Sequence, residues 1–147
     1  MTSDDEIIQQ ALNILTARLK EPGVSLSSPD AVKQFLRLKL ASKDHEVFAV
    51  LFLDVKNRLI AYEEMFRGTL THTSVYPREL VKTAMLHNAA SVIYSHNHPS
   101  GSASPSDADR LLTTAMRNAL ELIDVRSLDH IIVAGASTYS FAEHGDI

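Results

Sequence analysis

Cysteine is absent from this sequence, and its absence excludes several kinds of chemistry. A chain without thiols forms no disulfide, and it can have neither a thiolate metal site nor a cysteine nucleophile. Any metal or catalytic centre must therefore use His, Asp, Glu, Ser or Thr side chains.

Long apolar runs are also absent, since no stretch approaches the roughly 20 apolar residues that a membrane-spanning helix needs. The first ten residues, MTSDDEIIQQ, are acidic rather than basic and do not resemble a signal peptide. We therefore expect no membrane association and a cytoplasmic location.

An excess of positive charge is the third feature that the sequence lacks. Fourteen basic residues against eighteen acidic ones give a net charge of -4, whereas nucleic-acid-binding domains usually carry a strongly basic surface. The remaining composition, with 45% hydrophobic and 22% charged residues in 147, is that of one globular domain with a single core.

Hydrophobic periodicity predicts helices alternating with strands, which indicates an α/β or α+β fold with helices packed on a sheet. Ser3 with Glu6 predicts a capping box, and Ser28 followed by Pro29 predicts a second helix start. The predicted helices span 3–20, 28 through at least 40, 77 to about 88, and about 106–122. The predicted strands span 46–53, 59–66, 91–95 and 126–133, with 70–75 as a short extended piece and 137–141 as an edge strand. We expect a helical extension over 1–27 and the main domain over 28–147.

The most informative stretch begins at the end of the third predicted strand. His96 and His98 are two residues apart, so their side chains point to the same side of a strand and can reach one metal ion. Pro99 cannot continue a central strand, so the chain turns there. A His-x-His pair alone is weak evidence, because it is also common as ordinary surface polarity.

A carboxylate follows at the start of the next predicted helix. Ser106 is the predicted N-cap and Asp109 lies three residues later, a spacing that is also a capping box and by itself needs no metal. Two histidines and one aspartate without a fourth protein ligand form the open pattern of a catalytic zinc site. The joint occurrence of strand end, glycine loop and helix start therefore predicts a Zn²⁺ site.

The run His96-x-His98-Pro99, followed by Pro105-Ser106-x-x-Asp109, resembles the signature of the JAMM (MPN-plus) metalloprotease superfamily. The longer phrase His-Asn-His-Pro-Ser-Gly resembles its bacterial RadC-like branch, and the resemblance runs from about residue 28 to the C-terminus. It implies a cytidine-deaminase-like JAB/MPN fold, with a mixed β-sheet flanked by helices. It also implies zinc-dependent hydrolysis of peptide or isopeptide bonds in a protein substrate.

The same resemblance implies a catalytic glutamate at the start of an upstream strand. Glu46 is our choice because it follows a helix and opens the first apolar strand. Glu63 and Glu64 are the alternatives, and they lie at the other end of the hairpin that the predicted strands 46–53 and 59–66 form. Ser106 is expected to help the metal stabilise the oxyanion, and Asn97 is expected to be structural. The other histidines are expected on the surface or in the core; they are His45, His72, His87, His130 and His144. Of these, His130 is a candidate to support the site from outside the ligand set.

A second hypothesis is a DNA-repair-associated, nucleic-acid-binding protein without peptidase activity. It would require a basic face formed by Arg58, Arg67, Arg78 and Lys82, although scattered cations usually form a solvated surface. A third hypothesis, a scaffold that has lost its metal ligands, is disfavoured by the intact ligand set.

Overall fold

The computed structural model describes residues 3–21, 29–68 and 75–147, and within them four helices and five strands. The helices are α1 (Asp4–Leu19), α2 (Pro29–Leu40), α3 (Pro77–Leu86) and α4 (Asp107–Glu121). The strands are β1 (Val47–Leu53), β2 (Leu59–Arg67), β3 (Ser91–Asn97), β4 (Arg126–Ala134) and β5 (Ser137–Ser140).

The five strands form one sheet in the order β2-β1-β3-β4-β5. Only β3 and β4 are parallel, whereas the other neighbouring pairs are antiparallel. A parallel pair needs a crossover connection, and α4 supplies it between β3 and β4. The predicted fold class, a mixed sheet flanked by helices, is confirmed.

Each face of the sheet is covered by two helices, because the central strands are apolar on both sides. β1 alternates between the two cores: Val47, Leu51 and Leu53 pack with α1 and α2. Phe48, Val50 and Phe52 face the other way and pack with α3 and α4. The candidate metal ligands belong to this second side of the sheet.

Ser3 is the N-cap of α1, and its hydroxyl accepts a hydrogen bond from the backbone N–H of Glu6 at 3.2 Å, which is one of the two bonds of the predicted capping box. Its buried residues Leu12, Leu15 and Leu19 join the core beneath α2. The division of the chain at residue 27 stays a prediction.

Two other predicted features lie partly or wholly outside the described residues. They are the N-cap Ser28 and most of the extended piece at 70–75, which includes His72. Among the described helices, none is both long and apolar enough to cross a membrane.

Strand β3 is two residues longer than predicted, and this extension sets the geometry of the site. It continues through His96 and Asn97, which pair with Ile132 and Val133 of β4. The backbone N–H of His98 still donates to the Val133 carbonyl at 2.8 Å. The neighbouring strand thus fixes the backbone on which both histidines lie.

Candidate metal centre

The first two predicted ligands leave the carboxyl end of β3 on the side of α4. His96 is fully buried, and the side chain of His98 is 14% exposed. The site is therefore anchored in the core and open to solvent on the His98 side.

A tight turn orients His98. Pro99 and Gly101 occupy the second and fourth positions of the turn that begins at His98, as favoured in a type I turn, and the Gly101 N–H donates to the His98 carbonyl at 3.1 Å. Gly101 has a φ of +91°, which suits a residue without a Cβ. The turn brings the Ser102 carbonyl to 2.7 Å from Nδ1 of His98. Since a carbonyl only accepts, Nδ1 carries a proton, and in the neutral ring Nε2 then has the lone pair that a metal ion needs.

The third ligand is aimed by the capping box of α4. The Ser106 hydroxyl accepts from the Asp109 N–H at 3.1 Å, and Oδ2 of Asp109 accepts from the Ser106 N–H at 2.8 Å. The reciprocal pair fixes the first turn of α4 and the rotamer of the carboxylate. Because Ser106 caps the helix as an acceptor, its hydroxyl hydrogen can still be donated elsewhere.

The three predicted ligands converge. Nε2 of His96 lies 3.2 Å from Oδ1 of Asp109, and Nε2 of His98 lies 3.2 Å from Oδ2. The two Nε2 atoms are 2.9 Å apart, and one donor atom from each residue lies within 4.8 Å of the others. Two imidazole nitrogens and a carboxylate oxygen this close together fit a single divalent cation.

The carboxylate of Asp109 is held in its charged form. Burial acts to raise its pKa, but hydrogen bonds with His96 and His98 outweigh burial and place that pKa well below the usual range. The same contact with Asp109 raises the pKa of His98 against the effect of its burial, and Glu46 adds a smaller Coulombic contribution. The centre therefore holds one charged carboxylate between two imidazoles, a donor set that a divalent cation can use.

Behind His96 lies a fully buried third histidine, His130 of β4. Its Nε2 is 2.7 Å from Nδ1 of His96, and its Nδ1 is 2.5 Å from the hydroxyl oxygen of Thr113. Burial lowers the pKa of His130 well below its ordinary value, which favours the neutral ring. Sequence reasoning named His130 as a brace but missed Thr113, whose only signal is its place one helical turn after Asp109.

The register of β1 brings Glu46 towards the site. Phe48 pairs with His96 in an antiparallel ladder. Continuing that ladder by two residues on each strand sets Glu46 opposite His98, on the same face of the sheet. The electrostatic contribution of Glu46 to the pKa of His98 agrees with this placement.

Asn97 has the structural role expected of it, and that role concerns the backbone on both sides of Glu46. Its Oδ1 accepts from the Val47 N–H at 2.7 Å, and its Nδ2 donates to the His45 carbonyl at 2.9 Å. The side-chain amide of Asn97 thus holds the start of β1 against the end of β3.

The two alternative glutamates are engaged elsewhere. Glu64 pairs with Ala49, on the opposite face from Phe48, and accepts from the Tyr62 hydroxyl at 3.0 Å. Glu63 is next to Val50 and lies 2.6 Å from Nε2 of His87. Both glutamates therefore pair with residues of β1 that lie beyond Phe48, away from the end of β1 that is next to the candidate metal ligands.

Comparison with known proteins adds a family assignment to this geometry. A family model described as a RadC-like JAB domain matches residues 26–146. A UPF0758 protein of Janthinobacterium sp. (strain Marseille) is 63% identical over 143 residues, covering 95% of this chain and 64% of its own length. One from Herminiimonas arsenicoxydans is 65% identical over 127 residues, covering 86% and 57%. The chain thus spans about three-fifths of the length of these relatives.

Proposed function

The chain belongs to the RadC-like JAB domain family, and from this membership and the site geometry we propose that it is a zinc-dependent hydrolase acting on amide bonds of a peptide or protein. The observation that carries the proposal is the convergence of His96, His98 and Asp109 at one point, with one donor atom from each within 4.8 Å of the others. These three side chains would hold a zinc ion and leave it able to bind water or substrate.

Two of the three ligands in this proposal are oriented by contacts with residues close to them in the sequence. The His98 imidazole is oriented by the Ser102 carbonyl, and the Asp109 carboxylate by the capping box with Ser106. A zinc ion held there supplies a Lewis acid that lowers the pKa of water from about 16 towards 7.

Glu46 is the proposed general acid and base. Its carboxylate accepts a proton from the attacking water and then donates it to the leaving nitrogen, a role that requires a position within hydrogen-bond reach of that water. Its place on the ladder opposite His98 supports this assignment. The Ser106 hydroxyl would donate a hydrogen bond to the substrate carbonyl oxygen and so stabilise the negative charge that develops there.

Association with DNA is not part of this proposal. Each of the four cations of the hypothetical basic face lies within 4.0 Å of a carboxylate: Arg58 with Asp54, Arg67 with Glu64, and Arg78 and Lys82 with Glu79. These pairs are typical of a mixed-charge surface rather than of a site for a phosphate backbone.

The test is a proteome-wide search for newly exposed amines. Zinc-loaded wild-type chain and the Glu46→Gln variant are incubated with a bacterial protein extract, and new α- and ε-amines are labelled and identified by mass spectrometry. We expect cleavage by the wild type, none by Glu46→Gln despite equal zinc content, and wild-type cleavage by the control Glu63→Gln. A wild type that exposes no new amines, or a Glu46→Gln variant as active as the wild type, would contradict the proposal.

Metal identity is measured in the same preparations. Two histidines and one carboxylate also bind iron(II) in some oxygenases. Competition between zinc and iron(II) for the metal-free chain therefore accompanies the activity assay, and the proposal expects zinc to be retained and to support cleavage.

A further inference from the structure

We infer that Thr113 and His130 form a directional hydrogen-bond relay that holds His96 in the tautomer whose Nε2 lone pair faces Asp109. The inference rests on the proposed metal site, for which it names two positioning residues. Neither residue contributes a donor atom to the cation itself.

The direction of the relay is set at its far end, on the backbone of α4. The Thr113 hydroxyl oxygen lies 2.8 Å from the Asp109 carbonyl and 2.5 Å from Nδ1 of His130. A carbonyl can only accept, and a hydroxyl has only one hydrogen. Both contacts are hydrogen bonds only if Thr113 donates to the carbonyl and accepts from Nδ1–H of His130.

The next step passes through the imidazole of His130. A neutral ring that carries its proton on Nδ1 has a lone pair on Nε2. That Nε2 lies 2.7 Å from Nδ1 of His96, so His96 must be the donor in this contact. His96 then carries a proton on Nδ1, and in the neutral ring of His96 the lone pair is on Nε2, which lies 3.2 Å from Oδ1 of Asp109.

Packing removes the freedom that the ring of His130 would need to make other contacts. It is fully buried, stacks on Phe141 at a centroid distance of 4.7 Å with an interplanar angle of 19°, and meets the edges of Phe48 and Tyr94 at 6.0 and 5.9 Å. A polar group buried among aromatic rings must find its hydrogen bonds within the protein. Both nitrogens of His130 do so within the relay.

The relay also couples two ligands to each other. It starts on the backbone carbonyl of Asp109 and ends on His96, the histidine that faces the carboxylate of the same Asp109. His98, by contrast, is oriented by one backbone carbonyl, that of Ser102. The two histidines therefore reach the same tautomer by different means, and only His96 depends on side chains distant from it in the sequence.

The main alternative is that the Thr113 hydroxyl serves only the structure of α4, because threonines in helices often donate to the carbonyl four residues earlier. Thr114 offers a matched control: it makes that bond to the Arg110 carbonyl at 3.1 Å but is exposed and away from His130. Thr113→Val removes the hydroxyl with little change of shape, whereas Thr113→Ser keeps it.

The experiment reads the tautomer directly, by long-range ¹⁵N–¹H NMR of the histidines in the metal-free chain at pH 8. We expect Nδ1–H on His96 in the wild type, in Thr113→Ser and in Thr114→Val. In Thr113→Val the proton of His130 loses its acceptor and moves to Nε2, where it donates to His96, so His96 should change to Nε2–H. Zinc affinity, measured by competition with a chromophoric chelator, should fall about 10- to 100-fold in Thr113→Val only.

Two results would overturn the inference. One is a wild-type His96 with its proton on Nε2, which can be read even if Thr113→Val does not fold. The other is a folded Thr113→Val with the wild-type tautomer and zinc affinity. A wild-type chain that binds no zinc would refute the proposed function, while the NMR of the metal-free chain would still decide whether the relay exists.

Discussion

Asp109 shows how one side chain can serve the fold and the site at once. Its Oδ2 accepts from the Ser106 N–H at 2.8 Å and lies 3.2 Å from Nε2 of His98. The helix start therefore aims the carboxylate at the two histidines. Helix capping and metal ligation are compatible here, because a carboxylate offers about four lone-pair sites.

Which site residues could be predicted depended on how local their geometry is. His96 and His98 follow from strand alternation, and Asp109 from the capping pattern, all within 14 residues of sequence. Thr113 joins the site one helical turn after Asp109, whereas His130 joins it only because β3 and β4 are parallel neighbours that match Tyr94 with His130. That pairing is a property of the sheet and leaves no mark in the local sequence.

The half-buried carboxylate of Asp129 makes stability depend on pH in a defined direction. Burial raises the pKa of Asp129 against its three hydrogen bonds, from the Ser140 hydroxyl at 2.6 Å and the backbone N–H groups of His130 and Ala142 at 2.7 and 2.9 Å. Between the unfolded and the folded pKa, the native state binds more protons than the unfolded state. The contribution of Asp129 to the free energy of unfolding is therefore largest below about pH 3.8 and falls as pH rises through the folded pKa.

We predict that the difference in unfolding free energy between wild type and Asp129→Asn decreases as pH rises from about 4 and then levels off, because Asn does not titrate. Urea denaturation at a series of pH values measures this difference. A difference that is constant, or that grows with pH, would show that the native carboxyl group is not harder to ionise than the unfolded one.

At the scale of the elements, interior patterns were predictable and exact ends were less so. The strand pattern 46–53 corresponds to β1. Asp54 stabilises the turn that follows, because its Oδ1 accepts from the N–H groups of Lys56 and Arg58, both at 2.9 Å. β3 was predicted to end at Ser95 and instead ends at Asn97. Because residues 96 and 97 are polar, the apolar strand pattern did not predict this extension. Pairing with β4 and the hydrogen bond from the Val47 N–H to Asn97 stabilise it.

Which of the three glutamates lies near the site also depends on how the strands pair. In the sequence, Glu46, Glu63 and Glu64 all lie near strand ends of one hairpin. The observed register sets Glu64 beside Ala49 and Glu63 beside Val50. Only the pairing of β1 with β3, which no local pattern encodes, brings the position of Glu46 towards His98.

The turn between β3 and α4 gives a prediction with a matched control. Gly101→Ala places a Cβ on a residue with a φ of +91°, where no neighbouring atom obstructs it, so its cost lies in the backbone conformation. We expect a loss of about 1–2 kcal/mol in stability. Zinc affinity should also fall, because the Ser102 carbonyl moves away from His98.

Gly135→Ala is the control, since Gly135 also has a positive φ of +59° with open space around it but lies in the β4–β5 turn. Its stability loss should be similar and its zinc affinity unchanged. Calorimetric titration with zinc on both variants distinguishes the two effects. Equal zinc affinities in the two variants would mean that the turn does not position His98.

At the scale of the whole molecule, α1 belongs energetically to the same core as the sheet. Leu19 is 1% exposed and packs in the cluster that includes β1 and α2. We predict that Leu19→Ala costs about 2–5 kcal/mol of unfolding free energy, whereas Ile14→Ala, on a residue of the same helix that is 55% exposed, costs less than about 1 kcal/mol.

Both variants should bind zinc like the wild type, because α1 covers the face of the sheet opposite the metal ligands. Chemical denaturation and zinc titration of the two variants measure these effects. Similar small losses from both substitutions would show that α1 is a loosely attached extension.

The central claim is that His96, His98 and Asp109 hold one metal ion, and zinc titration of the metal-free chain tests it most directly. We predict one zinc per chain in the wild type and an affinity at least about 100-fold lower in Asp109→Asn, since loss of a ligand should exceed the effect of losing an outer partner. Asp107→Asn, a change to an exposed carboxylate in the same helical turn, should bind like the wild type. No zinc binding by the wild type, or equal binding by Asp109→Asn, would contradict the account.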